Sequence, residues 1–366
     1  MRILNASALV DNNANPSTPV SLAEKVAFLG NADAHEKSVD LVTCRETHMS
    51  WIFLAGETVY KLKKPIRLSY LDFSSLEKRH AACEAELALN RRLAPDVYLS
   101  VTPLTRSQGR LGIGGSGEIV DWLVVMRRLD ETGTLEHALL AKTLTLRQLD
   151  PVVATLTHFY RRASRIAISP DSFLASWHLI LSENRRVLLD RRSGLSIRLV
   201  CRLDGIQRRF LQERPDLIRA RVHHRRIVDA HGDLRPEHIW LGPPVCIIDC
   251  LEFNPQLRAI DPLDEIAFLT VECERLGGAR YGDYIARRIA NHLPGGFEGK
   301  LFTFYRCYRA TLRARLAIAH LFEPKARTPA KWRQMALRYL QLASKDGDRL
   351  CRILSLSQDR AQGPGV

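Results

Sequence analysis

Two aspartates have the residue type and setting for catalysis. Asp233 stands in the stretch "VDAHGDLRPEHIWL", residues 228 to 241, and Asp249 closes the apolar run "VCIID". Phosphoryl transfer needs a carboxylate beside the attacking hydroxyl and a magnesium ion bridging the nucleotide phosphates. Magnesium takes oxygen ligands, usually one or two carboxylates completed by phosphates and water. Asp233, on a loop after "IVDAH", is a candidate for the first carboxylate. Asp249, at the end of a strand and so able to face a cleft, is a candidate for the second. Either alone reads equally well as a turn former or helix cap. Together, with "HGD" ahead, they favour chemistry.

A nucleotide site also needs a cation held by an acid. "TVYKLKK" supplies Lys61, Lys63 and Lys64. On a strand, Lys61 and Lys63 share a face with Val59. If Lys61 meets the phosphates, Val59 two residues earlier is an apolar roof for the adenine; if Lys63 does, that roof would be Lys61, a poor match to a base. Lys61 is the better candidate. Its acid should come from the next helix, where Glu84 and Glu86 compete, and Glu86 lies nearer the inward stripe set by Leu89 and Leu93. The polar turn "RETHMS" would cover the phosphates, with Thr47, His48 and Ser50 as possible donors.

These residues need elements to position them. "SLAEKVAFL" carries a capping-box pattern, Ser21 with Glu24, and predicts a short helix after a loose lead-in over residues 10 to 20. From Val39 the pattern turns strand-like: "VDLVTC", the polar turn, then two runs flanking "AGE" that make a hairpin. A helix follows from the serines of "SSLEKRHAACEAELALNRRLAP" and ends before Pro95. "GIGGSG" lacks the Lys-Ser/Thr ending of a phosphate-binding P-loop and is followed by strand-like "EIVDWLVVM", so it reads as a hairpin turn. Beyond Asp130 the chain is mostly helical. The expected organisation is a lead-in over 1–38, a small β-rich lobe with one helix over 39–130, a larger helical lobe over 131–350, and a tail over 351–366.

The composition is that of a globular protein: 366 residues, 46% hydrophobic and 26% charged. The eight cysteines are scattered without a CxxC pair, which argues against a zinc or disulfide framework and for buried thiols in a reducing compartment. The chain shows no signal-peptide pattern and no run of about 20 apolar residues, so a cytoplasmic protein without a membrane partner is expected. Net charge is +14, with a pI near 9.7. That favours anionic partners. The arginines come as dispersed pairs, such as Arg161-Arg162 and Arg287-Arg288, without a basic arm or interleaved aromatics. Solvated helix faces account for most of them, and nucleic-acid binding is disfavoured.

The segments "ETHMSWIFLAGETVYKLKKP", "LDFSSLEKRHAACEAELALNRRLAPDVYL", "GSGEIVDWLVVMRRL", "HGDLRPEHIWL", "IIDCLEFNPQLRAIDPLDEIAFL" and "FYRCYRATLRARLA" run in this order from about residue 40 to residue 320. In that order they resemble the aminoglycoside phosphotransferase and protein-kinase-like superfamily, and in particular a bacterial group of aminoglycoside phosphotransferase family enzymes. The resemblance implies an α+β, two-lobed protein-kinase-like fold with ATP in the cleft between the lobes. It implies Asp233 as catalytic base or hydroxyl-orienting carboxylate and Asp249 as magnesium ligand. Lys61 becomes the phosphate-binding lysine and Glu86 its partner, with the adenine hinge passing through Met126 and Arg127. Members of the group often carry an added P-loop ATPase-like domain. Nothing like it precedes Val366, so an activity needing it is expected to be absent or supplied by a separate P-loop protein.

One position departs from the family. Five residues after the aspartate, where asparagine is usual, stands His238. Imidazole suits softer metals than magnesium. His238 could point elsewhere, could ligate the metal and favour Mn2+ over Mg2+, or could mark a lost metal site and an ATP-binding pseudokinase; a histidine merely hydrogen-bonded to a neighbour is the plain alternative. Arg235 could steer an anionic substrate or the γ-phosphate, or could pair with Glu237 or Glu252. The expected activity is transfer of phosphate from ATP to a hydroxyl of a small molecule. Asp264, Glu265, Glu272 and Glu274 could attract a polycation, but helical acids have ordinary solvated explanations, and so basic a chain is not an obvious polycation binder.

Overall fold

A computed structural model describes residues 19–35, 39–68, 70–322 and 329–361 of the chain. Most of the lead-in, up to residue 18, and the last five residues of the tail lie outside the described residues. The chain divides into two units, Met1–Gly133 with Pro244–Pro255, and Thr134–Pro243 with Gln256–Val366. Residues 244–255, from within the span expected for the helical lobe, thus belong with the β-rich unit.

The first unit opens with α1 (Leu22–Leu29), whose Ser21–Glu24 capping box is formed as the sequence predicts. Then come β1 (Val42–Glu46), β2 (Ser50–Ala55), β3 (Thr58–Lys63), the two-residue strands β4 (Arg67–Leu68) and β5 (Leu71–Asp72), α2 (Leu76–Asn90), β6 (Tyr98–Ser107), β7 (Arg110–Ile113) and β8 (Glu118–Arg127). Six strands form one antiparallel sheet in the order β1-β2-β3-β8-β6-β7. The β2–β3 hairpin turns at Gly56, at φ +58°, a conformation that a side chain disfavours. "GIGGSG" runs from β7 to β8 but is not the expected hairpin turn: β7 and β8 each pair with β6, on its two sides, so the segment crosses over β6, and the hairpin is β6–β7. Leu29, Val42, Phe53, Leu62, Leu104 and Leu123 make the core under the sheet. Buried Asp121 on β8 ties both helices to it, at 2.7 Å from Lys25 of α1 and 2.7 Å from Arg79 of α2.

The second unit is helical. It contains α3 (Leu135–Leu140), α4 (Asp150–Arg162), α5 (Pro170–Leu188), α6 (Ile197–Glu213), α7 (Pro215–His223), β9 (Val228–Asp229) and β10 (Ile239–Trp240). The strand β11 (Cys246–Ile247) falls in the segment that belongs to the first unit. After it come β12 (Ala259–Ile260), α8 (Pro262–Arg275), α9 (Ala279–His292), α10 (Gly299–Ala319) and α11 (Pro329–Ala361). β9 and β12 pair antiparallel. α11 runs on into the span expected as a tail, because Leu350 and Leu354 continue its buried stripe. α10 is the central helix, with Phe304 and Tyr305 fully buried and Trp177 of α5 packed on both rings.

The acids of α8 correct the expectation of solvated carboxylates. Asp264, Glu265 and Glu272 are buried. Arg309 of α10 makes a two-pronged contact with Asp264 at 2.7 and 2.6 Å, and Arg313 lies 2.9 Å from Glu272. Arg306 contacts Glu274 and, at 3.1 Å, Asp346. Arg306, Arg309 and Arg313 repeat at helical spacing, so one face of α10 meets the acidic face of α8. This is where part of the basic composition goes. All eight cysteines are free thiols, and five are buried.

Candidate functional site

In the first unit the chemistry gathers where β3, α2 and the loop after β11 meet. Lys61 and Lys63 project from the same face of β3, as strand alternation requires. Glu86 is fully buried on α2, one helical turn beyond Cys83 on the inward face, whereas Glu84 is exposed. Lys61 Nζ lies 2.7 Å from Glu86 Oε1 and 3.1 Å from Asp249 Oδ1. Lys63 Nζ lies 2.6 Å from Glu86 Oε2 and 2.5 Å from Glu252 Oε1. Two ammonium groups and three carboxylates thus form one network. Asp249 is its solvent-facing member, with 48% of its side chain exposed against 13% for Lys61.

The electrostatics follow from burial and pairing. Burial alone would drive the Lys61 ammonium to lose its proton, but Asp249 and then Glu86 outweigh it and hold the pKa well above the ordinary value. Burial would likewise keep Glu86 protonated, but Lys61 and then Lys63 pull its pKa below the usual carboxylate value. Lys61 and Glu86 therefore stay charged.

Asp249 has φ +64°, the left-handed region that non-glycine residues rarely occupy. Its backbone is held there. The Asp249 amide donates to the Tyr98 hydroxyl at 3.1 Å, and the Cys250 amide donates to Asn90 Oδ1 at 2.9 Å. Burial and then the Glu86 carboxylate push the Tyr98 phenol pKa far up, so its hydroxyl keeps its proton. Strain of this kind persists where surrounding contacts over-determine it, and it clusters at functional sites.

Val59 is buried on β3 and pairs in register with Met126 of β8. Arg127 ends β8, and its amide donates to the Val97 carbonyl at 2.8 Å, so that donor is already used within the unit. Thr47 and Ser50 close the β1–β2 turn on each other. Ser50 N–H donates to Thr47 Oγ1 at 2.9 Å, and Thr47 N–H donates to the Ser50 carbonyl at 2.9 Å. Ser50 is buried, whereas Thr47 and His48 are exposed.

In the second unit the loop of Asp233 is braced from beneath. Glu265, fully buried on α8, accepts from the Gly232 amide at 2.5 Å, from the His231 amide at 3.3 Å and from the Tyr160 hydroxyl at 2.8 Å. Gly232 sits at φ +90°. Asp233 N–H donates to His231 Nδ1 at 3.2 Å, which places the His231 ring proton on Nε2. The carboxylate of Asp233 is 23% exposed, with Arg235 Nη1 3.5 Å away. Arg235 pairs with Glu237, while Glu252 is taken by Lys63. His238 lies in a single 3-10 turn, Pro236–His238, and its Nδ1 is 2.9 Å from the Asp233 carbonyl. A carbonyl only accepts, so Nδ1 carries a proton and donates it to this bond.

Sequence reasoning singled out Lys61, Glu86 and Asp249, and the structure brings those three together. It passed over Lys63 as a second partner of Glu86 and gave no part to Tyr98, Asn90, His231 or Tyr160. Strand alternation put Lys63 on the right face, so that signal was present. Tyr98, Asn90 and His231 act through backbone groups that no side-chain pattern reveals, and Tyr160 through a carboxylate 105 residues away in sequence.

The first unit's β-sheet with its two helices and the second unit's helices define a protein-kinase-like fold. A choline kinase from Cryptosporidium parvum matches 85% of this chain and 90% of its own at a TM-score of 0.51 and 10% identity. A glucosamine kinase solved with glucosamine, ADP and inorganic phosphate matches 91% of this chain and 87% of its own, at TM-score 0.48 and 12% identity. An aminoglycoside phosphotransferase in ternary complex with AMP-PNP and hygromycin B matches 88% and 99%, at 0.48 and 13%. In sequence, the chain is 32% identical over 324 residues to uncharacterized proteins of Mycobacterium tuberculosis and Mycobacterium bovis. The match takes in 86% of this chain and 62% of theirs, so the chain spans less than two thirds of those relatives' length. No family model matches.

Proposed function

We propose that the protein is a phosphotransferase that moves the γ-phosphoryl group of ATP to a hydroxyl of a small molecule. The observation that carries this reading is the joining of Lys61, Glu86 and Asp249 in one charged network on a kinase-like fold. Lys61 is paired with Asp249 at 3.1 Å. An incoming phosphate would compete for Lys61 and release the Asp249 carboxylate, which Glu86 and Lys63 do not need. Asp233 would accept or orient the acceptor's hydroxyl hydrogen, held by the Glu265 brace beneath its loop. Val59 would cover the adenine.

The residues fit a magnesium ion. Asp249 offers a hard, half-exposed carboxylate. Such a ligand suits an ion completed by phosphates and water rather than a protein cage. Bound there, magnesium would neutralise phosphate charge. His238, its Nδ1 proton given to the Asp233 carbonyl, would hold the loop and need not be a ligand.

Calorimetry of ATP binding without metal, with magnesium and with manganese tests the reading on the wild type and His238→Asn. Metal-dependent binding is the expected result. No binding under any condition defeats it. Asp233→Asn should abolish turnover while ATP still binds, and normal turnover in that variant would remove the role given to Asp233.

A further inference from the structure

A single lysine is enough to neutralise Glu86, yet this site has two. Lys63 is fully buried, touches no solvent, and stands between Glu86 and Glu252 with the Phe73 ring 5.0 Å from its ammonium. A charge in that position has no access to a ligand. Burial would strip its proton, but Glu252 and then Glu86 outweigh burial and raise its pKa, so Lys63 stays a fixed cation. Glu252 lies three residues beyond Asp249 on the same loop. Lys63 therefore joins α2, through Glu86, to the loop of Asp249, through Glu252. Asn90 makes a parallel link: its side chain donates to the Glu86 carbonyl at 2.9 Å and accepts from the Cys250 amide at 2.9 Å.

We propose that Lys63 is a positioning residue that holds Glu86 and the Asp249 loop in their working places, so that Lys61 is free to exchange its carboxylates for phosphate. This deepens the phosphotransferase reading and rests on it. In kinase-like enzymes the lysine–glutamate pair and the metal-binding aspartate must both be in place for catalysis, and moving the helix that carries the glutamate is a common control. Here the helix is fastened by a second lysine that no substrate can reach. The nucleotide site is permanently assembled, and loss of Lys61 from Glu86 leaves Glu86 held. Lys61 is the exchangeable cation and Lys63 the fixed one.

The test compares Lys61→Met with the paired change Lys63→Met/Glu252→Leu. The pair removes a cation and an anion together, so it avoids the unpaired, buried Glu252 carboxylate that Lys63→Met alone would leave, while Glu86 keeps Lys61. Amide hydrogen exchange is measured on each protein without nucleotide. The Asp249 and Cys250 amides should stay slow in Lys61→Met and exchange at least about tenfold faster in the paired variant, with Leu62 and Leu123 in the sheet unchanged. Unchanged exchange at the two amides, or acceleration shared equally by the sheet, overturns the proposal. ATP affinity, read by calorimetry, should fall roughly tenfold in each variant and no further when the two are combined, because Lys61 works only from a site Lys63 has set. Losses that multiply would show independent contributions and overturn it. If the wild type binds no ATP, the phosphotransferase reading fails, and the exchange result still decides what Lys63 does.

Discussion

At the scale of single residues, the site depends on atoms that hold the loop as much as on those that would touch a ligand. The Asp249 amide has the Tyr98 hydroxyl as acceptor, and the backbone there is in the left-handed region. Tyr98→Phe removes that acceptor and keeps the ring. A loss of about 1 kcal/mol is expected in denaturant unfolding, with weaker metal-dependent ATP binding. Unaltered binding in Tyr98→Phe would show that the loop needs no such anchor. Protonation gives a second expectation. Glu86 and Glu272 both have pKa values lowered below 4.5 in the folded state, where lysines and arginines outweigh the opposing effect of burial. A depressed carboxylate contributes stability above its unfolded pKa and loses it as pH falls through the folded value. The unfolding midpoint should therefore drop as pH is lowered below about 4.5, and a thermal melt series from pH 7 to pH 3 checks this.

At the scale of elements, α8 and α10 are held by charge as well as by packing. Arg309 and Asp264 face each other buried, and burial outweighs Arg309 in raising the aspartate's pKa. Buried pairs gain little over apolar replacements, yet breaking one by removing a single partner is expensive. Arg309→Met should cost about 3–5 kcal/mol, whereas Arg309→Met/Asp264→Leu should come close to the wild type. Equal destabilisation by both would show that the pair itself stabilises the fold. The N-terminus of α2 offers a milder case. Ser75 accepts from the Lys78 amide at 3.3 Å, and Ser75→Ala should cost about 1 kcal/mol.

At the scale of the whole molecule, the formal charge of +14 overstates what is free. Arg79, Arg221, Arg306 and Arg309 are buried against acids, while arginines such as Arg161 and Arg287 lie exposed as solvated helix faces. The same pairing removes the α8 acids from any role in attracting a polycation. A screen of hydroxyl acceptors should give turnover on neutral or anionic compounds and none on aminoglycosides. Turnover of an aminoglycoside would mean that carboxylates elsewhere receive it. Among the described residues no helix is long and apolar enough to cross a membrane.

What the sequence determined by itself was whatever local periodicity and residue chemistry control. The capping box fixed the start of α1, alternation placed Lys61 and Lys63 on one face, and the serine ahead of "LEKRH" started α2. The kinase-like class was legible because ordered segments resembled a known superfamily over most of the chain. Tertiary structure decided which partner each charge takes. Glu86 and Glu84 differ by two residues and by half a helical turn, so only packing against β3 makes one buried and the other exposed. Glu252 had no local signal at all: its partner Lys63 is 189 residues away in sequence. Asp249's left-handed backbone suits an aspartate better than most side chains, but the contacts to Tyr98 and Asn90 that hold it come from 151 and 160 residues away. Local sequence sets torsions and faces; only the fold brings distant charges to within a hydrogen bond.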